Sequence, residues 1–274
     1  MDIFTNGPLT FHVRDEGSGP AVLLLHGFPQ DARCWDGVVP LLHAAGLRTL
    51  RFDQRGYPAT ARPNRSRDYA SNRLVSDVFA LLDAAGLEHV HLVGHDLGAL
   101  VGWATAAAHP ERLASLTVLS VPHPKAFLWS LLTSTQAARS WYAGAFQVPG
   151  LAERILGQSA LVRRFLAVSN APEAVVERAV ELLADPARRH AMLQWYRALA
   201  GVPSPASQAA CTVPTTFLWS SGDVALSRRG AELTGRYVDA PYRFEVLEGV
   251  SHWLPEQVPG VVADLVTDRV LHGR

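Results

Sequence analysis

Four runs in the first half of the chain are too rich in Val and Leu for one face to lie against water: residues 21–27 (AVLLLHG), 48–53 (RTLRFD), 89–96 (HVHLVGHD) and 113–121 (LASLTVLSV). Helical patterns separate them, at residues 35–45 closed by Gly46, at 71–85 closed by Gly86, and at 99–109. Strands apolar on both faces that alternate with helices predict a mainly parallel sheet covered on both sides. The rhythm stops at Pro122, and residues 160–168, 173–183 and 186–199 carry helical patterns with no convincing strand among them. Strand signals return at 213–223 (VPTTFLWSSGD) and 242–249 (YRFEVLEG), followed by Val258, Val261, Val262, Leu265, Val266 and Val270 on one face of a 3.6-residue period. The pattern predicts an α/β core built from residues 1–122 and 213–274, large enough for eight strands, with residues 123–212 inserted as a helical cap.

Composition narrows the classes of function. With 25 Lys+Arg against 25 Asp+Glu in 274 residues, the chain has no basic field of the size that nucleic acid requires and no acidic tail. Cys34 and Cys211 lie too far apart in sequence for a disulfide framework or a CxxC metal site, which points to a reducing, cytoplasmic setting. The first residues are polar, with Asp2 where a secretion signal carries positive charge, and the apolar stretch 98–108 is broken by His109 and Pro110 before it could span a bilayer.

At Gly94-His95-Asp96-Leu97-Gly98 a strand passes into a helix through two glycines spaced around an aspartate. This is the nucleophile-elbow pattern G-x-S-x-G with Asp in place of Ser, and a helix N-terminus favours the charged carboxylate. An Asp opening a helix is also an ordinary N-cap. Three further elements in chain order weigh against that plainer account. His26-Gly27-Phe28-Pro29 ends the first apolar strand and can aim the Phe28 N–H at the elbow, joining that of Leu97 in an oxyanion hole. Asp223 ends a later strand, and His252 follows the last one. Nucleophile, acid and histidine in that order are the α/β-hydrolase arrangement.

On these residues, together with HGFPQ (26–30), DQRGY (53–57), the ARP at 61–63, HPERL (109–113) and GVSHW (249–253), the chain resembles the α/β-hydrolase superfamily along its whole length. Within it the resemblance is to the epoxide hydrolase branch, with haloalkane and fluoroacetate dehalogenases as relatives. A carboxylate attacking a carboxylic ester would form a high-energy anhydride, whereas attack on a strained or activated sp³ carbon forms an ester that water can cleave. An epoxide oxygen then needs a proton, while a halide needs N–H donors. Tyr142 in SWYAGAFQ and Tyr196 in QWYR resemble the cap segments that present paired tyrosines to an epoxide, although Tyr196 shares a helical face with Met192 and Leu199, as a core residue would. Dehalogenases place Trp directly after the nucleophile, or Arg there and three positions on; this chain has Leu97 and Leu100, leaving Trp141 or Trp195 in the cap as the halide donors.

The resemblance therefore implies hydrolysis of a small apolar epoxide by water, without cofactor or metal. Asp96 is the expected nucleophile, His252 with Asp223 the expected base pair, and Trp141, Trp195, His123 and Trp253 the expected substrate contacts. Dehalogenation, or a non-catalytic member that binds a ligand under its cap, are the alternatives. Expected partners are substrate and water alone, with no nucleic acid and no membrane span, in a monomer or homodimer. Asp53 and Arg55 are expected to pair with each other, His95 to pack or hydrogen-bond near the elbow, and Arg163, Arg164, Arg188 and Arg189 to lie on the cap surface.

Overall fold

The computed structural model describes residues 1–199 and 209–273. Eight strands form one sheet: β1 (Ile3–Asn6), β2 (Leu9–Glu16), β3 (Ala21–Leu25), β4 (Arg48–Phe52), β5 (Val90–His95), β6 (Leu113–Leu119), β7 (Thr215–Ser220) and β8 (Tyr242–Leu247). Their spatial order is β1-β2-β4-β3-β5-β6-β7-β8, parallel from β4 onward and antiparallel at β1 and β2. The six apolar runs of the sequence are β3 to β8. The first two strands are an edge hairpin whose buried side chains are Phe4, Phe11 and Val13, with solvent on alternate positions. Such one-sided strands lack the continuous apolar run that marks the central ones.

Helices cover both faces. On one lie α1 (Val39–Ala44) and the C-terminal helices, on the other α2 (Ser71–Ala84) and α3 (Leu97–Ala108), with a core on each side. Trp35, Leu42, Val93, Leu254 and Val262 belong to the first core; Phe11, Phe52, Leu92, Trp103 and Phe217 belong to the second. α3 is buried along nearly its whole length, which its composition of Gly, Ala, Val, Leu, one Trp and one Thr, whose hydroxyl donates to the Val101 carbonyl, allows.

Between β6 and β7 come α4 (Pro124–Thr133), α5 (Gln136–Arg139), α6 (Trp141–Ala145), α7 (Leu151–Leu156), α8 (Ser159–Ala167), α9 (Glu173–Ala184) and α10 (Pro186–Leu199). Among the described residues of this segment there is no strand, as the lost periodicity predicts; Cys211 alone makes a bridge, to Val238. α10 ties the cap to the core: the Trp195 indole N–H donates to the Arg55 carbonyl at 2.7 Å, and Arg62 pairs with Asp185 at 2.7 Å. Past β7 follow α11 (Arg228–Leu233), α12 (Leu254–Gln257) and α13 (Pro259–His272). Among the described residues no helix is long and apolar enough to cross a membrane.

Asp53 and Arg55 do not pair. Asp53 accepts the Ala32 N–H at 2.9 Å, while Arg55 reaches the opposite way to grip Asp77 of α2 through two hydrogen bonds of 2.8 and 2.7 Å. Its remaining N–H groups meet the carbonyls of Asp68 and Arg73. Nor are the cap arginines all surface: Arg188 and Arg189 bond the carbonyls of Tyr57 and Leu183, while Arg163 pairs with Glu177 in solvent. Removing one partner from a fully buried, fully satisfied ion pair leaves an uncompensated charge. Asp77→Ala should therefore cost about 3–5 kcal/mol in denaturant unfolding, far more than Glu177→Ala on the exposed pair.

Candidate active site

β5 ends at His95 and α3 begins at Leu97, so one residue must turn the chain. Asp96 does so at φ 51° and ψ −119°, a region costly for any residue with a side chain. The turn is held by close backbone approaches. A Cβ on Gly98 would stand 2.2 Å from the Leu25 carbonyl oxygen, and one on Gly94 would stand 2.4 Å from that of Gly98. The spacing of the two glycines is thus a steric requirement of the elbow.

The Asp96 carboxylate lies at the end of β3 and β5. Its Oδ1 accepts the Phe28 N–H at 2.8 Å, and its Oδ2 is 3.5 Å from His252 Nε2. His252 Nδ1 is 2.7 Å from Asp223 Oδ2, and the Ala225 and Leu226 N–H groups hold the other Asp223 oxygen at 2.7 and 2.9 Å. Because that ring nitrogen faces a carboxylate, it carries a proton, leaving Nε2 for the elbow. The His252 carbonyl accepts from His95 Nε2 at 2.9 Å and from the Ser120 hydroxyl at 3.3 Å, and Ser120 is itself at φ 69°. His95 is thus a packing and hydrogen-bonding residue under the elbow.

Electrostatics follow from two acids around one imidazole. Burial disfavours the His252 cation, but Asp223 and Asp96 outweigh it and raise the group to about 10. Burial likewise raises Asp96, and His252, His95 and the Phe28 N–H together hold it below the ordinary carboxylate range. The resting pair is therefore imidazolium and carboxylate.

Above the carboxylate opens a cavity of about 560 Å³. Asp96, His252, Tyr142 and Tyr196 all line it, with Phe28, Phe165, Trp253 and, toward the cap, Trp141 and Arg139. The two tyrosine rings meet edge to face at 6.1 Å. Burial first, and then the negative charge of Asp96, raises both phenols, so each remains an O–H donor at ordinary pH. Trp141 is 65% exposed at the rim, and Trp253 is buried with its indole N–H on the Ser169 hydroxyl.

Two expected contacts are corrected. Trp195 faces the core, its indole N–H committed to Arg55, and does not line this cavity. His123 caps α4, accepting the Lys125 N–H and stacking on Tyr237, because the proline after it starts the helix and turns the ring inward. Sequence reasoning missed Arg139, which donates to the Asp223 carbonyl at 2.7 Å, and Gln30, which meets His95. Gln30 directly follows the His-Gly-Phe-Pro run, which was the available signal; a short cap helix such as α5 gives none.

With this geometry in view, comparison with known proteins is specific. A model of the alpha/beta hydrolase fold matches residues 20–257. The chain belongs to the α/β-hydrolase fold family, and it is an enzyme of that superfamily homologous to epoxide hydrolases. It is 32% identical over 273 residues to the AB hydrolase superfamily protein YfhM of Bacillus subtilis, covering 96% of this chain and 95% of that one. It is also 32% identical over 292 residues to epoxide hydrolase A of Mycobacterium tuberculosis, covering 90% and 89%. Among solved structures, epoxide hydrolase A of Mycobacterium thermoresistibile superposes with a TM-score of 0.78 at 27% identity, over 99% of this chain and 97% of that one.

If both carboxylates hold the His252 proton, removing one must release part of it. In Asp96→Asn the His252 ring should titrate below its wild-type value, with the Asp223 contact keeping it above the ordinary histidine range. Histidine NMR across pH measures this; an unchanged titration would mean that the elbow carboxylate exerts no field on the ring.

Proposed function

We propose that the protein hydrolyses small apolar epoxides to vicinal diols through an ester on Asp96. The observation that carries this reading is the convergence on one cavity of the Asp96 carboxylate, two tyrosines and His252, which Asp223 holds from behind. The names of similar proteins agree with it, epoxide hydrolase A of M. tuberculosis among them.

In this reading Asp96 Oδ1 stays on the Phe28 N–H and Oδ2 attacks an epoxide carbon. The C–O bond of the ring breaks, and Tyr142 and Tyr196, projecting from the cap (123–212), hydrogen-bond the departing oxygen while one gives it a proton. Ester formation removes the Asp96 charge, one of the two that hold the proton on His252. The imidazolium then becomes acidic enough to restore the tyrosine proton, and neutral His252 is left as a base. It takes a proton from water, whose oxygen attacks the Asp96 carbonyl carbon. The oxyanion forms on Oδ1, facing the N–H groups of Phe28 and Leu97. Collapse expels the diol oxygen, which recovers a proton, and the carboxylate and imidazolium return. The same charge that hinders His252 as a base in the resting enzyme is cancelled by the first chemical step.

Dehalogenation has less support, since the Trp195 indole N–H is already bound to Arg55, Leu97 has no side-chain donor, and Trp141 stands exposed at the cavity rim.

His252→Gln should form the ester and stall. Mass spectrometry after mixing with an epoxide that the wild type turns over should find one substrate mass on the peptide containing Asp96. Its absence, with first-turnover heavy oxygen from water found only in the diol, would remove Asp96 as nucleophile. Changing both Tyr142 and Tyr196 to Phe should nearly abolish the ester, whereas each single change should cost up to about a hundredfold in its formation rate. Wild-type ester formation in the double variant would remove the tyrosines from the reaction.

A further inference from the structure

Behind the elbow, three side chains form a hydrogen-bonded row that ends on the main chain of His252. His95 Nε2 is 2.9 Å from the His252 carbonyl, His95 Nδ1 is 2.9 Å from Gln30 Oε1, and Gln30 Nε2 is 2.6 Å from Glu256 Oε1; a half-turn of the amide exchanges its two arms without moving either neighbour. His95 and Gln30 are 0% and 2% exposed. The row can be solved by counting protons. A carbonyl only accepts, so His95 carries its proton on Nε2. If His95 is neutral, Nδ1 is a lone pair, Gln30 must turn its N–H there, and its oxygen then faces Glu256, which must supply a proton. If Glu256 is ionised, Gln30 must give it the N–H and turn its oxygen to Nδ1, which requires a second proton on His95. Either solution holds one proton more than an ionised glutamate beside a neutral histidine, whichever way the amide is turned.

Two observations place that proton. The His95 ring lies 4.9 Å from the His252 ring, so a second imidazolium would sit in a buried site against the first. Glu256 Oε2 is out of solvent and has no hydrogen-bond partner among the described residues, a position that suits a neutral acid and not a carboxylate.

We propose that Glu256 is a positioning residue for His252: as a neutral acid it sets Gln30, Gln30 sets the His95 tautomer, and His95 holds the His252 carbonyl beneath the reacting ring. The proposal rests on the reading of His252 as the base that cleaves the ester. The groups around Glu256 agree. Burial raises it to about 7 against Gln30, Arg178 of α9 and His252, which favour its charge. Arg178 is shared with Asp31, itself bound to Arg33, and the Cys34 thiol is a further titratable neighbour. Burial first, then His252, lowers His95 to about 4.

The sign distinguishes this role from the titration of the base. Deprotonating His252 speeds ester cleavage as pH rises, whereas deprotonating Glu256 breaks the row and slows it. The decay rate of the Asp96 ester should therefore fall about tenfold above the Glu256 titration, the worth of one buried hydrogen bond. In Glu256→Gln, whose amide N–H donates to Gln30 at every pH, that alkaline fall should vanish; in Glu256→Leu decay should be slow throughout. The rate of ester formation should not follow the Glu256 titration in any of them. An alkaline fall unchanged in Glu256→Gln would overturn the proposal.

Infrared spectroscopy of the resting protein supplies a test that needs no turnover. A protonated carboxyl stretch at neutral pH, lost on alkaline titration and missing from Glu256→Gln, is expected; its absence from the wild type overturns the proposal. Should Glu256→Gln fail to fold, the wild-type titration decides. Should no ester ever form on Asp96, the proposed reaction fails while the infrared result still settles the proton on Glu256.

Discussion

The close contact of Gly98 with the Leu25 carbonyl is the constraint on which the site depends. It lets α3 start so near the end of β3 that Asp96, the one residue between β5 and α3, is driven to φ 51°, with its side chain raised above the sheet. A side chain on Gly27 would collide with Asp96 itself, 2.4 Å from its Cβ, so the strand end and the elbow fit only with both positions bare. The resulting backbone strain, about 1–3 kcal/mol, is offset by the surrounding core: α3 is buried against β5 and β6, and Trp103 anchors its middle through a hydrogen bond to the Val121 carbonyl. Rigidity at Asp96 then fixes the distance to Phe28, because the same approach of β3 that demands glycine delivers the Phe28 N–H to the carboxylate at 2.8 Å.

Charge gives the second level of organisation. Two carboxylates flank one imidazole, but their surroundings differ. Asp223 is buried, bonded to two backbone N–H groups and the ring, and does not line the cavity. Asp96 has one backbone donor and a longer contact to the ring, and it faces open space. The better satisfied acid holds the imidazole, and the less satisfied one faces the cavity. Identical side chains are thus separated by backbone hydrogen bonding.

How much of this was legible in the sequence depended on whether a residue's signal is local. The central strands and the elbow were legible because continuous apolar runs and a glycine pair at fixed spacing have direct steric causes. The edge strands β1 and β2 were not, since four and eight half-buried residues resemble any amphipathic segment. Asp223 and His252 could be picked out by their position after strands, though their 2.7 Å contact joins residues 29 positions apart and belongs to the fold alone. Among the cap aromatics Trp195 was misplaced for the same reason, while Tyr142, Tyr196 and Trp141 do line the cavity. Trp195 and Tyr196 are adjacent on α10 and both buried, yet one side chain points to Arg55 and the other to the cavity, a distinction set by how the helix rotates against the core. His123 was misplaced because proximity to a strand end says nothing of ring direction, which the following proline and helix start determined.

The residues that flank the two tyrosines explain how a cap of short helices keeps them together. Tyr142 and Tyr196 lie on α6 and α10, which are joined by side-chain bonds to backbone. Gln147 donates to the Tyr196 carbonyl at 2.8 Å, and Arg197 donates to the Phe146 carbonyl at 3.2 Å while pairing with Glu153 of α7 at 2.8 Å. One bond thus falls on the main chain of Tyr196 itself and the other on the residue that follows α6, leaving both rings free to pack. They pack on Phe146, which stands 5.7 Å from Tyr142 and 5.0 Å from Tyr196. The Phe28 ring completes the cluster at 5.7 Å from Phe146 and 5.2 Å from Tyr196. Phe28 thus holds the elbow carboxylate with its N–H and the cap aromatics with its ring. A shift of the cap relative to the core must disturb both ends of that one residue, so the alignment of tyrosines above and carboxylate below is a single packing problem, solved at the end of β3.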